Sequence, residues 1–238
     1  FVRSEMLRSD PGFDQLRIQA NSSSEIHLVS VKTGSEFELQ SGIGQTLWPD
    51  EWHIAGSGPG FVDLAIPGPP RPASAIYMIK FRTKIFMNST TFSVSVSNSK
   101  RPGTIQVASD GDATSFLTSQ SLVVVGDLDD TSILSNVQLS PRIITPNEDG
   151  INDLANLRFS IFRLNGSVNF SVATYDLSGR IIRDLSFERS SASGDHVVVW
   201  DGLDSQGQLV APGTYILRLE FSVDVGQESV SLPVSVIY

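Results

Sequence analysis

Apolar residues recur at every second position in short runs along the whole chain. Ile26/Leu28, Val62/Leu64/Ile66, Tyr77/Ile79/Phe81 and Phe92/Val94/Val96 alternate with residues that are mostly polar or small. Period-two spacing turns one apolar face toward a core and predicts half-buried β-strands. Thr104-Ile105-Gln106-Val107 and Leu122-Val123-Val124-Val125 read as further strands. The second half of the chain keeps the habit with Val168/Phe170/Val172, Val197-Val198-Val199-Trp200, Tyr215/Leu217/Leu219/Phe221 and Val230/Leu232/Val234/Val236/Tyr238. Pro233 inside the last run marks an edge strand or a bulge, because proline has no N–H to give to a ladder.

Turn residues punctuate these runs. Gly56-Ser57-Gly58-Pro59-Gly60, Pro67-Gly68-Pro69-Pro70-Arg71-Pro72 and Ser97-Asn98-Ser99-Lys100-Arg101-Pro102-Gly103 separate strands in the first half, and Asp176-Leu177-Ser178-Gly179 does so in the second. No segment keeps a helical apolar period over three turns, and the nearest candidate, Thr131 to Val137, is too short. Short strands between Gly/Pro turns predict an all-β chain of two tandem antiparallel β-sandwich, Ig-like domains. The polar, acidic stretch Gly126-Asp127-Leu128-Asp129-Asp130-Thr131-Ser132 divides them. The expected layout is an N-terminal extension at 1–9, a sandwich at 10–126, an acidic linker at 127–136 and an Ig-like sandwich at 137–238.

Composition narrows the function classes. The chain has 238 residues, of which 40% are hydrophobic and only 18% charged, and it carries a net charge of −9. An acidic surface repels phosphate backbones, so a nucleic-acid partner is not expected. Cysteine is absent, which removes disulfides and thiolate metal sites. No apolar run approaches the length of a membrane-spanning helix. Phe1-Val2-Arg3-Ser4-Glu5 lacks the apolar core of a signal peptide and there is no initiator Met, so the chain reads as a processed or trimmed product.

The most informative local pattern is Thr145-Pro146-Asn147-Glu148-Asp149-Gly150-Ile151-Asn152-Asp153. Asn147, Asp149 and Asp153 place oxygen-bearing side chains around a glycine, and the Ile151 carbonyl is a fourth candidate ligand. Such a loop can wrap hard oxygen ligands around Ca²⁺. It is not an EF-hand, since the twelfth position from Asn147 is Arg158 where a bidentate Glu is required. An Asx-rich turn that bonds its own backbone accounts for the same residues.

Pro146-Asn147-x-Asp149-Gly150-x-Asn152-Asp153 resembles a signature of bacterial C-terminal surface modules, among them those of gliding motility and type IX secretion. The stretch of about 140–238 resembles the Ig-like domain of the flagellar hook-capping, or hook-assembly scaffold, family. The residues that carry this are Tyr175-Asp176-x-x-Gly179-Arg180 and Trp200-Asp201-Gly202-x-Asp204-x-x-Gly207-x-x-Val210-x-Pro212-Gly213-x-Tyr215-x-x-Arg218. The resemblance implies a non-catalytic module for assembly, anchoring or sorting. The first domain loosely resembles secreted sandwiches of the cohesin or carbohydrate-binding type. That likeness runs through Phe81-x-x-x-Ile85-Phe86-x-Asn88-x-Thr90-x-Phe92 and Pro102-Gly103-x-Ile105-Gln106-Val107-x-x-Asp110-Gly111-Asp112-Ala113, and it implies protein or glycan ligands.

Other constellations are weaker. His27, His53 and His196 lack metal-ligand spacing. Asp195-His196 with a serine could be imagined as a triad, but no nucleophile elbow exists. Trp48 and Trp52 could stack on sugar rings if exposed, although burial of at least one is the ordinary fate of tryptophan. Asp127, Asp129 and Asp130 read as a solvated linker. The sequons at Asn21, Asn88, Asn165 and Asn169 read as products of a Ser/Thr-rich composition. The expectation is therefore a non-enzymatic, secreted or cell-surface structural protein of bacterial surfaces, matrices or filaments. Its partners would be other protein chains, itself included, joined by edge strands such as the one ending at Tyr238 or the segment Phe1–Arg8. The alternative is a glycan-binding module.

Overall fold

The computed structural model describes residues 1–3, 12–67, 76–109, 111–117, 123–125, 132–223 and 226–238. The chain divides into two compact units, Phe1–Asp127 and Leu128–Tyr238.

In unit 1 the strands are β1 (Val2–Arg3), β2 (Gln15–Ala20), β3 (Ser24–Gly34), β4 (Gln45–Thr46), β5 (His53–Gly58), β6 (Phe61–Ala65), β7 (Ile76–Ile85), β8 (Thr90–Ser97), β9 (Ile105–Val107) and β10 (Val123–Val124). They form a four-stranded sheet, β1-β7-β3-β4, and a larger sheet, β10-β8-β2-β6-β5, with β9 also on β8. One core draws on both: Leu16, Ile18, Val62, Leu64 and Phe92 from the larger sheet, and Ile26, Val31 and Tyr77 from the smaller. In β2 the alternation is strict, with Leu16, Ile18 and Ala20 buried and Gln15, Arg17 and Gln19 exposed. In β3 a bulge between Leu28 and Ser30 shifts the phase by one residue, so Ile26 and Val31 both face the core although five positions apart.

Two features of unit 1 depart from expectation. A short helix α1 (Glu36–Gln40) follows β3, carried by a capping box in which Glu38 N donates to Ser35 Oγ and Ser35 N donates to Glu38 Oε2 at 2.7 Å. At five residues it is too short to show an apolar period. In addition, Val2 and Arg3 do not stand apart as an extension. They pair with Tyr77 and Ile76 of β7, and Val2 is buried. Arg8, the rest of the extension, the turn cluster 68–72, Leu122 and the aspartates 127, 129 and 130 lie outside the described residues.

Unit 2 contains β11 (Leu134–Ser140), β12 (Ile143–Ile144), β13 (Ala155–Ile161), β14 (Val168–Tyr175), β15 (Ile181–Asp184), β16 (Phe187–Arg189), β17 (Gly194–Trp200), β18 (Gly213–Val223) and β19 (Gly226–Val236). Its sheets are β11-β13-β17 and β12-β19-β18-β14-β15, with β16 also on β14. Strand β11 starts inside the stretch that the sequence marks as linker, and it occupies Leu134–Val137, the nearest approach to a helical pattern. Pairing is antiparallel throughout except for β12, which runs parallel to β19. The core between the sheets is dominated by Trp200, Phe159, Phe170, Leu157, Leu217 and Leu219.

Pro233 lies on the free side of β19. Ser235 and Ile237 send their N–H groups toward β12, to the carbonyls of Arg142 and Ile144. Nitrogens two apart along a strand point the same way. Position 233 therefore faces the same side, upstream of the two-residue pairing with β12, and the missing N–H costs the ladder nothing.

Candidate functional site

The Thr145–Asp153 loop leaves β12 and is closed by one carboxylate. Asp153 Oδ1 accepts N–H groups from Asn147 and Glu148, each at 3.0 Å, and Oδ2 accepts from Gly150 at 2.7 Å. Asp149 Oδ1 accepts from Ile151 N and Oδ2 from the Asn147 side chain, while Asn147 Oδ1 accepts from Asp149 N. The Ile151 carbonyl accepts from the Thr145 hydroxyl. The four candidate ligands thus share one small loop, and their oxygens serve its own donors. Left-handed backbone at Glu148, Gly150 and Asn152 makes the bend possible. Among the described residues, no group of three or more His, Cys, Asp or Glu is placed to hold a metal.

The Trp200–Tyr215 segment has the same character. Trp200 is fully buried, donates from Nε1 to the Leu203 carbonyl at 2.9 Å and meets the Tyr215 ring edge-on at 5.4 Å. Asp201 and Asp204 fold their carboxylates back on the backbone N–H groups that follow them. Those N–H groups, from Gln208 first and then Gln206, hold the Asp204 carboxyl below the usual range. Tyr215 donates to the Ala211 carbonyl at 2.7 Å, a tyrosine tying down the corner ahead of its own strand. In the β14–β15 turn, Asp176 accepts from the Ser178 hydroxyl and from the Arg180 and Ser178 N–H groups, which hold its pKa at about 2.

The two motifs touch. Gly202 has φ +72° and lies so close to buried Pro146 that an added Cβ would stand 2.9 Å from Pro146 Cγ. Residues 56 positions apart in the sequence, Pro146 and Gly202, therefore join the two sets of self-satisfying turns.

The imagined triad is not assembled. Asp195 and His196 are neighbours on β17, so they point to opposite faces. Ser160 donates to Asp195 at 2.5 Å, while His196 stacks against Phe159 and donates to the Ala192 carbonyl at 2.7 Å. Burial lowers the His196 pKa. His27 stands exposed beside Glu25, and His53 is exposed at the start of β5. Trp48 and Trp52 do not form a pair of platforms. Trp48 is 68% exposed, whereas Trp52 packs on the unit 1 core and donates to the Leu47 carbonyl.

One concavity carries polar chemistry that the strand reading passed over, a trough of about 420 Å³ on the outer face of the larger unit 1 sheet. Gln15, Arg17 and Gln19 of β2, Asp63 of β6, Ser93, Ser95 and Ser97 of β8 and Ile105 and Val107 of β9 line it. At its centre Arg17 grips Asp63 through Nε and Nη2 at 2.6 and 2.8 Å and lies 4.7 Å over the Phe61 ring. The available signal was the polar half of the same alternation that marks the strands.

One stretch of unit 2 is similar to a known family. Residues 156–223 match the FlgD Ig-like domain. The match opens inside β13 and closes at the end of β18, so the Asn147–Asp153 loop and β19 lie outside it. The matched stretch contains Trp200, the 201–213 turns and the Tyr215 corner. No curated protein matches the chain. Solved structures with partial likeness include PorZ, an essential bacterial surface component of the type IX secretion system of Porphyromonas gingivalis (15% identity, TM-score 0.30, 61% of this chain and 15% of that one). Another is dimeric latent PorU of the same organism (15% identity, TM-score 0.35, 98% and 19%). A third is the β-glucuronidase of Parabacteroides merdae (8% identity, TM-score 0.29, 98% and 27%). The chain spans between 15% and 27% of the length of these three proteins.

Proposed function

We propose that this chain is a non-catalytic structural or interaction protein of a bacterial cell surface, matrix or filament, acting in anchoring and assembly. The observation that supports it is the FlgD Ig-like match at 156–223, taken with how the polar residues of that segment are used. Asp176, Asp201, Asp204 and Tyr215 bind backbone and close turns. Residues engaged in this way build a rigid module and leave no poised acid, base or nucleophile. The module then works through its surface. Among the described residues, both outer strands of the three-stranded sheet, β11 and β17, are paired on one side only, and β17 exposes Val197 and Val199. A one-sided strand with outward valines suits docking of another protein chain, a second copy included.

The test is light scattering of the full chain during size-exclusion chromatography, with cross-linking on the surface of the producing cells. Self-association, or a cross-linked protein partner, is expected, and V197K/V199K should abolish it while leaving the melting temperature in place. A monomer that cross-links to nothing would overturn the assembly reading.

A further inference from the structure

We infer that the trough on unit 1 is a binding site for a neutral saccharide chain. This rests on unit 1 alone and is independent of the assembly reading.

The depth of the trough comes from residue size. Ser93, Ser95 and Ser97 give β8 a row of short side chains beside β2. Gly56 sits opposite Asp63, where an added Cβ would stand 3.2 Å from Asp63 Oδ2, so the carboxylate can lie down along the sheet. The next strand out, β9, then rises as a wall. Ile105 is 69% exposed and Val107 66%. The outcome is a shallow polar floor with one apolar side.

The chemistry of that floor selects a ligand class. Hydroxyls, amides and one salt-bridged pair supply donors and acceptors together, as a polyhydroxylated ligand requires. Arg17 is already neutralised by Asp63 through a bidentate contact, and the chain carries a net charge of −9, so an anionic ligand finds no free cation here. Arg17 Nη1, the Gln19 amide and the Ser95 hydroxyl make no hydrogen bond to other described residues, which leaves them to a ligand. A peptide laid as an added strand is excluded from the floor, because β2, β6 and β8 are each hydrogen-bonded on both sides. Recognition must run through side chains, and the outward Ile105 and Val107 offer a surface for the C–H face of a sugar ring. Phe61 is covered by Arg17 and gives no open stacking platform, so affinity is expected in the high-micromolar to millimolar range.

The experiment is isothermal titration calorimetry of the full chain with cellohexaose, xylohexaose, mannohexaose and chitohexaose, each to millimolar concentration. At least one should bind. S95W, which fills the floor from a solvent-facing position, should weaken it at least tenfold. R17A/D63A, which removes both charges together, should do the same, and both variants should melt with the parent chain. W48A should bind as the parent does, since Trp48 does not line the trough. Absence of binding to all four, or binding that survives both trough variants, would overturn the assignment. So would loss of binding in W48A.

Discussion

Asp153 shows how much one carboxylate does in a loop without regular structure. It collects three N–H groups from a segment in which Glu148 has a positive φ, a conformation that only compensating contacts sustain. D153A should destabilise unit 2 by about 1–3 kcal/mol, read from urea unfolding, because those donors lose their acceptor. The loop's oxygens serve its own donors and each keeps a further lone pair, so an unfolding temperature that EDTA leaves in place would make the loop a self-bonded turn. A fall with EDTA that CaCl₂ reverses would assign a cation to Asn147, Asp149, Ile151 and Asp153. His196 makes a different prediction. Burial among Phe159, Phe170 and Phe187 lowers its pKa from 6.5, so the neutral ring belongs to the folded state. The stability it contributes is complete above that unfolded value and is lost as pH falls through the lowered folded one. Urea midpoints for unit 2 should therefore be flat at about pH 7–8 and decline below about pH 6.5, and H196Q should remove the histidine part of that decline.

At the scale of the element, alternation carried most of the information. Leu16/Ile18, Val62/Leu64, Phe170/Val172 and Leu217/Leu219 all face cores, because a strand with one wet side must write its burial into every second residue. What escaped had no periodicity to read. Helix α1 is shorter than two turns, and its only sequence mark is Ser35 with Glu38 three positions on. Strand β1 is two residues whose partner lies far along the chain. The trough was invisible for a related reason. Polar positions of strands look alike whether they face open solvent or a concavity, and the curvature depends on Ser93, Ser95, Ser97 and Gly56 being small together. The Asn147–Asp153 loop was legible as a cluster of oxygens, while the direction of each hydrogen bond was not. Pro233 was legible only in part: β19 lies between β12 and β18, and the proline marks the stretch of it that β12 does not reach. P233V would restore an N–H on the unpaired side of β19, and light scattering should then show greater self-association with an unchanged melting temperature.

Each compact unit has its own main core. Trp200, Phe170 and Leu219 belong to one, and Val31, Leu64 and Phe92 to the other. Each unit has its own pair of sheets, so residues 132–238 alone should fold cooperatively, with dispersed amide signals in an NMR spectrum. A collapsed spectrum would mean that unit 2 needs its neighbour. The parallel pairing of β12 with β19 has a mechanical consequence for such a unit. Strand β12 lies near its start and β19 near its end, so tension between the ends draws the two in opposite directions along a shared axis. The bonds from Ser235 to Arg142 and from Ile237 to Ile144 are then loaded together in shear instead of unzipping one by one. Force spectroscopy with unit 2 held by its ends should show a single high rupture, and pulling through the β14–β15 turn a series of low ones. A protein subject to tension would carry that load across four backbone atoms, two on each side of the seam between the β12 and β19 segments.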